Sequence, residues 1–233
     1  FGRPGCVADA RYSGVVVGRS RRKLATLLRL QRCYGLTDFK IKVAVEGWEE
    51  RLKWAHDVLG PALDTQRATL RADANGGWSL GEACAAAETL ERCGVTALEQ
   101  PLSEQHDDDL PALAEHTGCD LIADESLITE GDAQRLLDAG VRVLNIRLAK
   151  NGGLLPALRI ARTALAAGRD VQLGCLVGET SVLSAAGVAF LEACPRVRFV
   201  EGAFGRWLLR RDPARPVVQF GRGGRVRPPG GFG

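Results

Sequence analysis

Three acidic residues stand where apolar strands should end. Asp73 lies in Arg71-Ala72-Asp73-Ala74-Asn75, Glu99 in Leu98-Glu99-Gln100-Pro101, and Asp124 in Ile122-Ala123-Asp124-Glu125-Ser126. Their separations, 26 and 25 residues, each match one strand plus one helix. Delivered from three neighbouring strands, the carboxylates would converge, and such a cluster of charge is prohibitive unless compensated. A hard divalent cation compensates it: octahedral Mg²⁺ on three protein oxygens leaves positions for water and a substrate carboxylate, and Mn²⁺ suits the same donors. The plainer alternative makes each acid the cap of the helix after its strand. That explains one acid easily and three at matched intervals poorly.

Lysines come next. In Lys40-Ile41-Lys42 the two-residue alternation of a strand sends both lysines to one face and Phe39, Ile41 and Val43 to the other. Lysine is seldom buried, so an inward pair needs a reason; the alternative is a solvated edge strand. A lysine beside a metal and a second cation has its ammonium form disfavoured and can then take a proton from carbon.

The elements that must position these groups alternate between short β-branched strands and amphipathic helices. Strands are expected at 12–18, 39–45, 69–74, 96–101, 120–126, 141–149, 170–176 and 197–201. Helices are expected at 21–34, 49–59, 80–92, 108–116, 130–139, 154–167 and 182–193, the second stopped by Gly60-Pro61. Apolar strands separated by helices imply a parallel sheet covered on its outside. Eight such units close best as an α/β fold of the TIM-type (β/α) barrel kind, whose catalytic groups sit at the C-terminal strand ends. A doubly wound open sheet is the competitor, but no G-x-G-x-x-G follows the first strand. We divide the chain into a linker (1–10), one barrel domain (11–209) and a Gly/Pro/Arg-rich tail (210–233) that reads as loop.

Composition excludes several classes. Among 233 residues, 45% are hydrophobic, 25% charged and 6% aromatic, with a net charge of +3. That is too little basic, aromatic surface for nucleic-acid binding. The seven cysteines form no C-x-x-C pair, so neither a zinc knuckle nor a redox pair is suggested, and a reducing, cytoplasmic setting is expected. No apolar run is long enough for a membrane span, and no signal peptide is visible. Of the histidines, His106 reads as loop surface, and Asp107–Asp109 as a helix N-cap and first turn.

Taken in order, Lys40-x-Lys42, Asp73-x-Asn75-Gly76, Glu99-Gln100-Pro101, Asp124-Glu125-Ser126 and Lys150-Asn151-Gly152-Gly153 resemble the barrel motifs of the muconate-lactonizing-enzyme subgroup of the enolase superfamily. The resemblance spans about residues 11–209. It implies that Asp73, Glu99 and Asp124 bind Mg²⁺, that Lys42 is the proton-transferring base, and that Lys40 tunes it. It also implies a small-molecule carboxylate substrate whose α-proton leaves to give a metal-stabilised enediolate. Asn75, Glu125, Cys175, Glu179 and Glu201 are expected to line the substrate site, and homo-oligomers are common in such barrels.

Two departures bear on the reaction. Where the subgroup carries a second catalytic lysine on the sixth strand, this chain reads Asn145-Ile146-Arg147-Leu148, with Lys150 expected in the following loop. Arginine does not give up its proton, so one-base cycloisomerisation or syn-elimination (as in o-succinylbenzoate synthase) is favoured over epimerisation of dipeptides or N-acylamino acids unless Lys150 reaches in. Acid-sugar dehydration is a further alternative, and a degenerate metal-binding barrel the non-enzymatic one. The other departure is the subgroup's N-terminal capping domain, which the ten or so residues before the first strand do not supply: either this sequence covers the barrel portion alone or the protein lacks the lid.

Overall fold

The computed structural model describes residues 10–226. Eight parallel strands follow one another round a single sheet in sequence order, β1 to β8. They are β1 (Gly14–Val16), β2 (Asp38–Lys42), β3 (Thr69–Asp73), β4 (Val95–Glu99), β5 (Asp120–Ala123), β6 (Val143–Ile146), β7 (Asp170–Leu173) and β8 (Phe199–Val200). The sheet closes on itself. Tyr12 pairs in parallel with Val200, and Ser13 N donates to Val200 O at 2.8 Å. The helices between strands are α1 (Arg21–Cys33), α2 (Trp48–Leu63), α3 (Leu80–Arg92), α4 (Leu110–His116), α5 (Glu130–Asp138), α6 (Leu154–Ala166) and α7 (Ser181–Ala193), with a short α8 (Gly205–Leu208) after β8. This is the TIM-type (β/α) barrel expected from the strand–helix alternation. Among the described residues, no helix is long and apolar enough to cross a membrane.

Alternation along the strands sorts the core into two parts. Side chains such as Phe39, Ile41, Leu70, Ala72, Leu98 and Leu121 face outward and join Leu52, Leu90, Leu136 and Phe190 of the helices in the main apolar core. Inside the barrel, Ala97, Ile122, Val143 and Phe199 form a separate apolar floor. Two residues further along their strands the inward positions become Glu99, Asp124, Asn145 and Glu201. The barrel interior is thus dry at one end and charged at the other.

Local signals set the helix starts. Ser79 and Glu82 make reciprocal capping bonds at α3, as do Thr129 and Asp132 at α5. Two expectations are corrected. α2 runs through Gly60-Pro61 to Leu63. Pro61 sits in the last turn, where its missing N–H removes a single helical bond, and buried Leu59 and Ala62 on either side hold the turn in place. The acidic run after β4 holds only part of the expected cap: Asp109 stands at the N-cap of α4, without a side-chain cap bond. Residues 104–109 form a 3₁₀ turn, and Asp107 is buried, accepting from Ser126 Oγ at 2.7 Å and from Arg135 at 2.9 Å.

The start of the tail packs against the barrel instead of trailing as loop. Val218, Phe220 and Val226 are buried, and the Phe220 ring stacks within 5.6 Å of Tyr12 and 5.3 Å of Phe204. Gly224 O accepts from Tyr12 N at 2.7 Å, and Arg225 bridges Arg11. The proposed linker, apart from Ala10, and the tail beyond Val226 lie outside the described residues.

Candidate active site at the C-terminal end of the barrel

The three acids end adjacent strands. Asp73 and Glu99 are direct register partners on β3 and β4, and Asp124 follows β5 by one residue. All three are buried, Glu99 and Asp124 completely. Their oxygens are engaged by cations of the chain. Lys40 Nζ lies 3.1 and 3.2 Å from the two Glu99 oxygens, 3.3 Å from Asp73 and 2.8 Å from Glu201. Arg147 donates to Asp124 Oδ2 and stands 4.0 Å from Glu99 Oε1, while Lys150 Nζ is 2.8 Å from Asp124 Oδ1 and also meets the Asp124 carbonyl. Glu99 accepts in addition from Asn145 at 2.9 Å and Gln172 at 3.0 Å. Among the described residues no three acids already stand as a preformed cation cage.

Electrostatics follow from that geometry. Burial alone would drive Glu99 towards the neutral acid, but Lys40, Arg71 and the Gln172 amide outweigh it and hold the carboxyl below its usual range. Asp73 moves upward, through burial and the nearby charge of Glu99, against the pull of Lys40. Burial disfavours the Lys40 ammonium, yet Glu99, Glu201 and Asp73 surround it and raise its pKa well above that of a free lysine. Lys40 is therefore a fixed positive charge. Lys150 is pushed down to about 8 by burial and by Arg147.

Lys42 is different. It is exposed, and its Nζ donates to Asn75 Oδ1 at 2.7 Å. Asn75 adopts a left-handed backbone (φ 46°), tolerated better by asparagine than by most residues, and its amide donates to Glu125 Oε1 at 3.3 Å. Lys42, Asn75 and Glu125 so form a line along the rim beside the acids. On the far side, Glu179 accepts from Leu176 N at 2.7 Å, and Cys175 is half-buried with its thiol pushed up to about 12 by burial, Glu201 and Glu179. A cavity there is lined by Tyr12, Leu148, Glu179, Ser184, Glu201 and Gly202. Glu201 is tied to Lys40 and Arg71. Exposed apolar residues also stand on the rim: Val17, Val45, Ile128, Val177 and Leu208 follow strands β1, β2, β5, β7 and β8.

Three residues at the site carry roles that the sequence reading had not assigned. Arg71 is wholly buried on β3, stacked 4.2 Å over the Phe199 ring, donating to Gln172, to Ser13 Oγ at 2.8 Å and to Glu201 at 3.2 Å. The parity argument used for Lys40 and Lys42 would have found it, two residues before Asp73. Gln100 takes a left-handed backbone and accepts from the Asp124 and Ser126 amides at 2.9 and 3.2 Å, shaping the loop that carries the third acid. Asn151 does the same for the next loop, accepting from Arg147 N at 2.8 Å and donating to Leu127 O at 2.9 Å. Lys150 lies in the loop after β6, as expected, and that loop turns its amine inward to Asp124.

The donor chemistry fits a hard divalent cation: three buried carboxylates from consecutive strands, facing side-chain cations on flexible arms.

Comparison with known proteins agrees with the resemblance in the motifs. An o-succinylbenzoate synthase of Thermobifida fusca is 32% identical, over 81% of this chain and 59% of that protein. The crystal structure of a dipeptide epimerase from Cytophaga hutchinsonii, complexed with Mg and the dipeptide D-Ala-L-Val, superposes with a TM-score of 0.80 at 25% identity, covering 94% of this chain and 58% of that one. A muconate lactonizing enzyme structure gives a TM-score of 0.83 at 25% identity, covering 98% and 63%. The chain spans between 35% and 66% of the length of the curated relatives it matches, most of them named as epimerases of dipeptides or amino acids. Residues 23–233 match the enolase C-terminal domain-like family, and the chain belongs to it.

Proposed function

We propose that this barrel is the catalytic domain of a Mg²⁺-dependent isomerase or lyase that removes a proton next to the carboxylate of a small-molecule substrate. The observation that carries the reading is the burial of Asp73, Glu99 and Asp124 at consecutive strand ends, with Lys42, its amine exposed, the register partner of Asp73 on β2. Asp73, Glu99 and Asp124 would hold the metal. When bound, Mg²⁺ supplies positive charge for the substrate carboxylate as its α-carbon becomes acidic.

The chain's own residues do the rest. Lys42 takes the proton at Nζ and returns it, with Asn75 holding the amine at the rim. Lys40 keeps its proton and screens Glu99 from Asp73 and Glu201. Arg147 keeps its charge throughout. One base on one face suits cycloisomerisation or syn-elimination, the muconate cycloisomerase or o-succinylbenzoate synthase type of reaction.

A second reading is epimerisation of a dipeptide or N-acylamino acid, which needs a base on each face. It is favoured by Lys150, whose amine reaches Asp124 from the opposite side of the cluster. Solvent exchange separates these. In deuterated water with Mg²⁺, a panel of dipeptides, N-acylamino acids and succinylbenzoate-type acids is followed for deuterium at the α-carbon. Exchange with retained configuration supports the one-base reading, and racemised product supports the second. Exchange undiminished in Lys42→Ala, or absent throughout the panel for the full-length protein, would end the proposal in favour of a degenerate barrel.

A further inference from the structure

The acid cluster is already electrically closed. Asp73, Glu99, Asp124 and Glu201 face Lys40, Arg71, Arg147 and Lys150, four charges of each sign joined by ion pairs of 4.0 Å or less. A dication added to this set leaves two surplus positive charges unless one of the side-chain cations withdraws or an anion enters. Which cation withdraws is decided by how well each is held. Lys40 contacts three carboxylates at the centre of the cluster. Arg71 is sealed in the barrel beneath, under Phe199 and Ser13. Lys150 has both an oxygen and the backbone carbonyl of Asp124.

Arg147 is held least completely. Its Nη2 reaches Asp124 and, at 4.0 Å, Glu99, and its buried Nε, like that of Arg71, has no hydrogen-bond partner, but among the described residues no ring covers Arg147 as Phe199 covers Arg71. It lies between two of the three carboxylates a cation would use. Gly174 lies beside it, where a Cβ would collide first with Asn145 Oδ1 and would come within 3.0 Å of Arg147 Cγ.

We propose that Arg147 is a tethered counter-cation, occupying the Glu99–Asp124 side of the acid cluster and leaving it only when a divalent cation takes its place. This rests on the cation-site reading above. Two consequences follow from charge alone. Cation binding is weaker than three carboxylates would otherwise give, and a carboxylate ligand tightens it, because the anion offsets surplus charge and offers the displaced guanidinium a partner.

The test is a Mn²⁺ titration, with free Mn²⁺ read by electron paramagnetic resonance, on the full-length protein and its Arg147→Gln, Arg147→Lys and Asp124→Asn variants. Arg147→Gln should bind Mn²⁺ about tenfold more tightly or better, and Arg147→Lys close to the parent. Equal or weaker binding in Arg147→Gln, with binding lost in Asp124→Asn, overturns the role of Arg147 and leaves the cation site standing. Absence of binding in both the parent and Arg147→Gln removes the cation site and this inference together. Should the glutamine variant not fold, the Arg147 Nε–H resonance of the parent decides the matter during Mg²⁺ titration. It should shift in step with occupancy; Mg²⁺ binding with that resonance unmoved overturns the proposal.

Discussion

Lys40 Nζ spans both oxygens of Glu99, at 3.1 and 3.2 Å, at a point in the barrel where the carboxylate has no exposed surface at all. Neither charge has water to fall back on. Removing the lysine strands Glu99 and weakens the hold on Glu201, so Lys40→Met should cost about 3–5 kcal/mol of stability at neutral pH. The pH dependence has a definite sign. Because folding raises the Lys40 pKa above the ordinary 10.5, its contribution is complete below that value and declines as pH rises from there through the folded-state value. Urea unfolding at pH 7 and pH 11 should show the gap between parent and variant shrinking by about 1 kcal/mol at the higher pH. A gap that widens would contradict the raised pKa.

Lys42→Ala should slow α-proton exchange by about 10²–10⁴-fold. Lys42→Arg should be no better, since guanidinium does not act as a base. Because the amine is exposed, a small exogenous amine added to the alanine variant should restore part of the rate. Full activity in the arginine variant would show that Lys42 contributes only charge.

Gln100→Leu leaves the Asp124 and Ser126 amides without their acceptor. The expected loss is about 1–3 kcal/mol for each orphaned amide. Hydrogen exchange checks it locally: both amides should lose protection while those of β3 keep theirs. Unchanged protection at 124 and 126 would mean that the loop is held by something else.

At pH 8 the Cys175 thiol, pushed up to about 12, and Cys119, pushed up to about 11, should remain protonated. Iodoacetamide followed by peptide mass mapping should therefore label exposed Cys33 well before either of them. Labelling of Cys175 as fast as Cys33 would place it outside its half-buried setting.

Much of this was readable in advance because two regularities repeat through the chain. Strand parity set Lys40 and Lys42 on one inward face, and the 26- and 25-residue spacing set the acids at the ends of neighbouring strands. What escaped depends on contacts made at long range. Arg71 looks misplaced in an apolar strand until Phe199, Ser13 and Gln172 close round it from the other side of the barrel. Lys150 turns inward because Asn151 fixes its loop, and Pro61 stays helical because its neighbours are buried. Local propensity speaks against Pro61 and is silent about the other two.

The sheet is not equally strong all the way round. β2, β3 and β4 are five residues long, whereas β8 has two and β1 three, and among the described residues only the Tyr12–Val200 bridge and one Ser13 bond join those last two strands. Thermal breathing should therefore begin along that join, where Gly224 and Arg225 act as its clasp. The wall that carries the acids stays stiff, while the wall carrying Glu201 is the one free to yield.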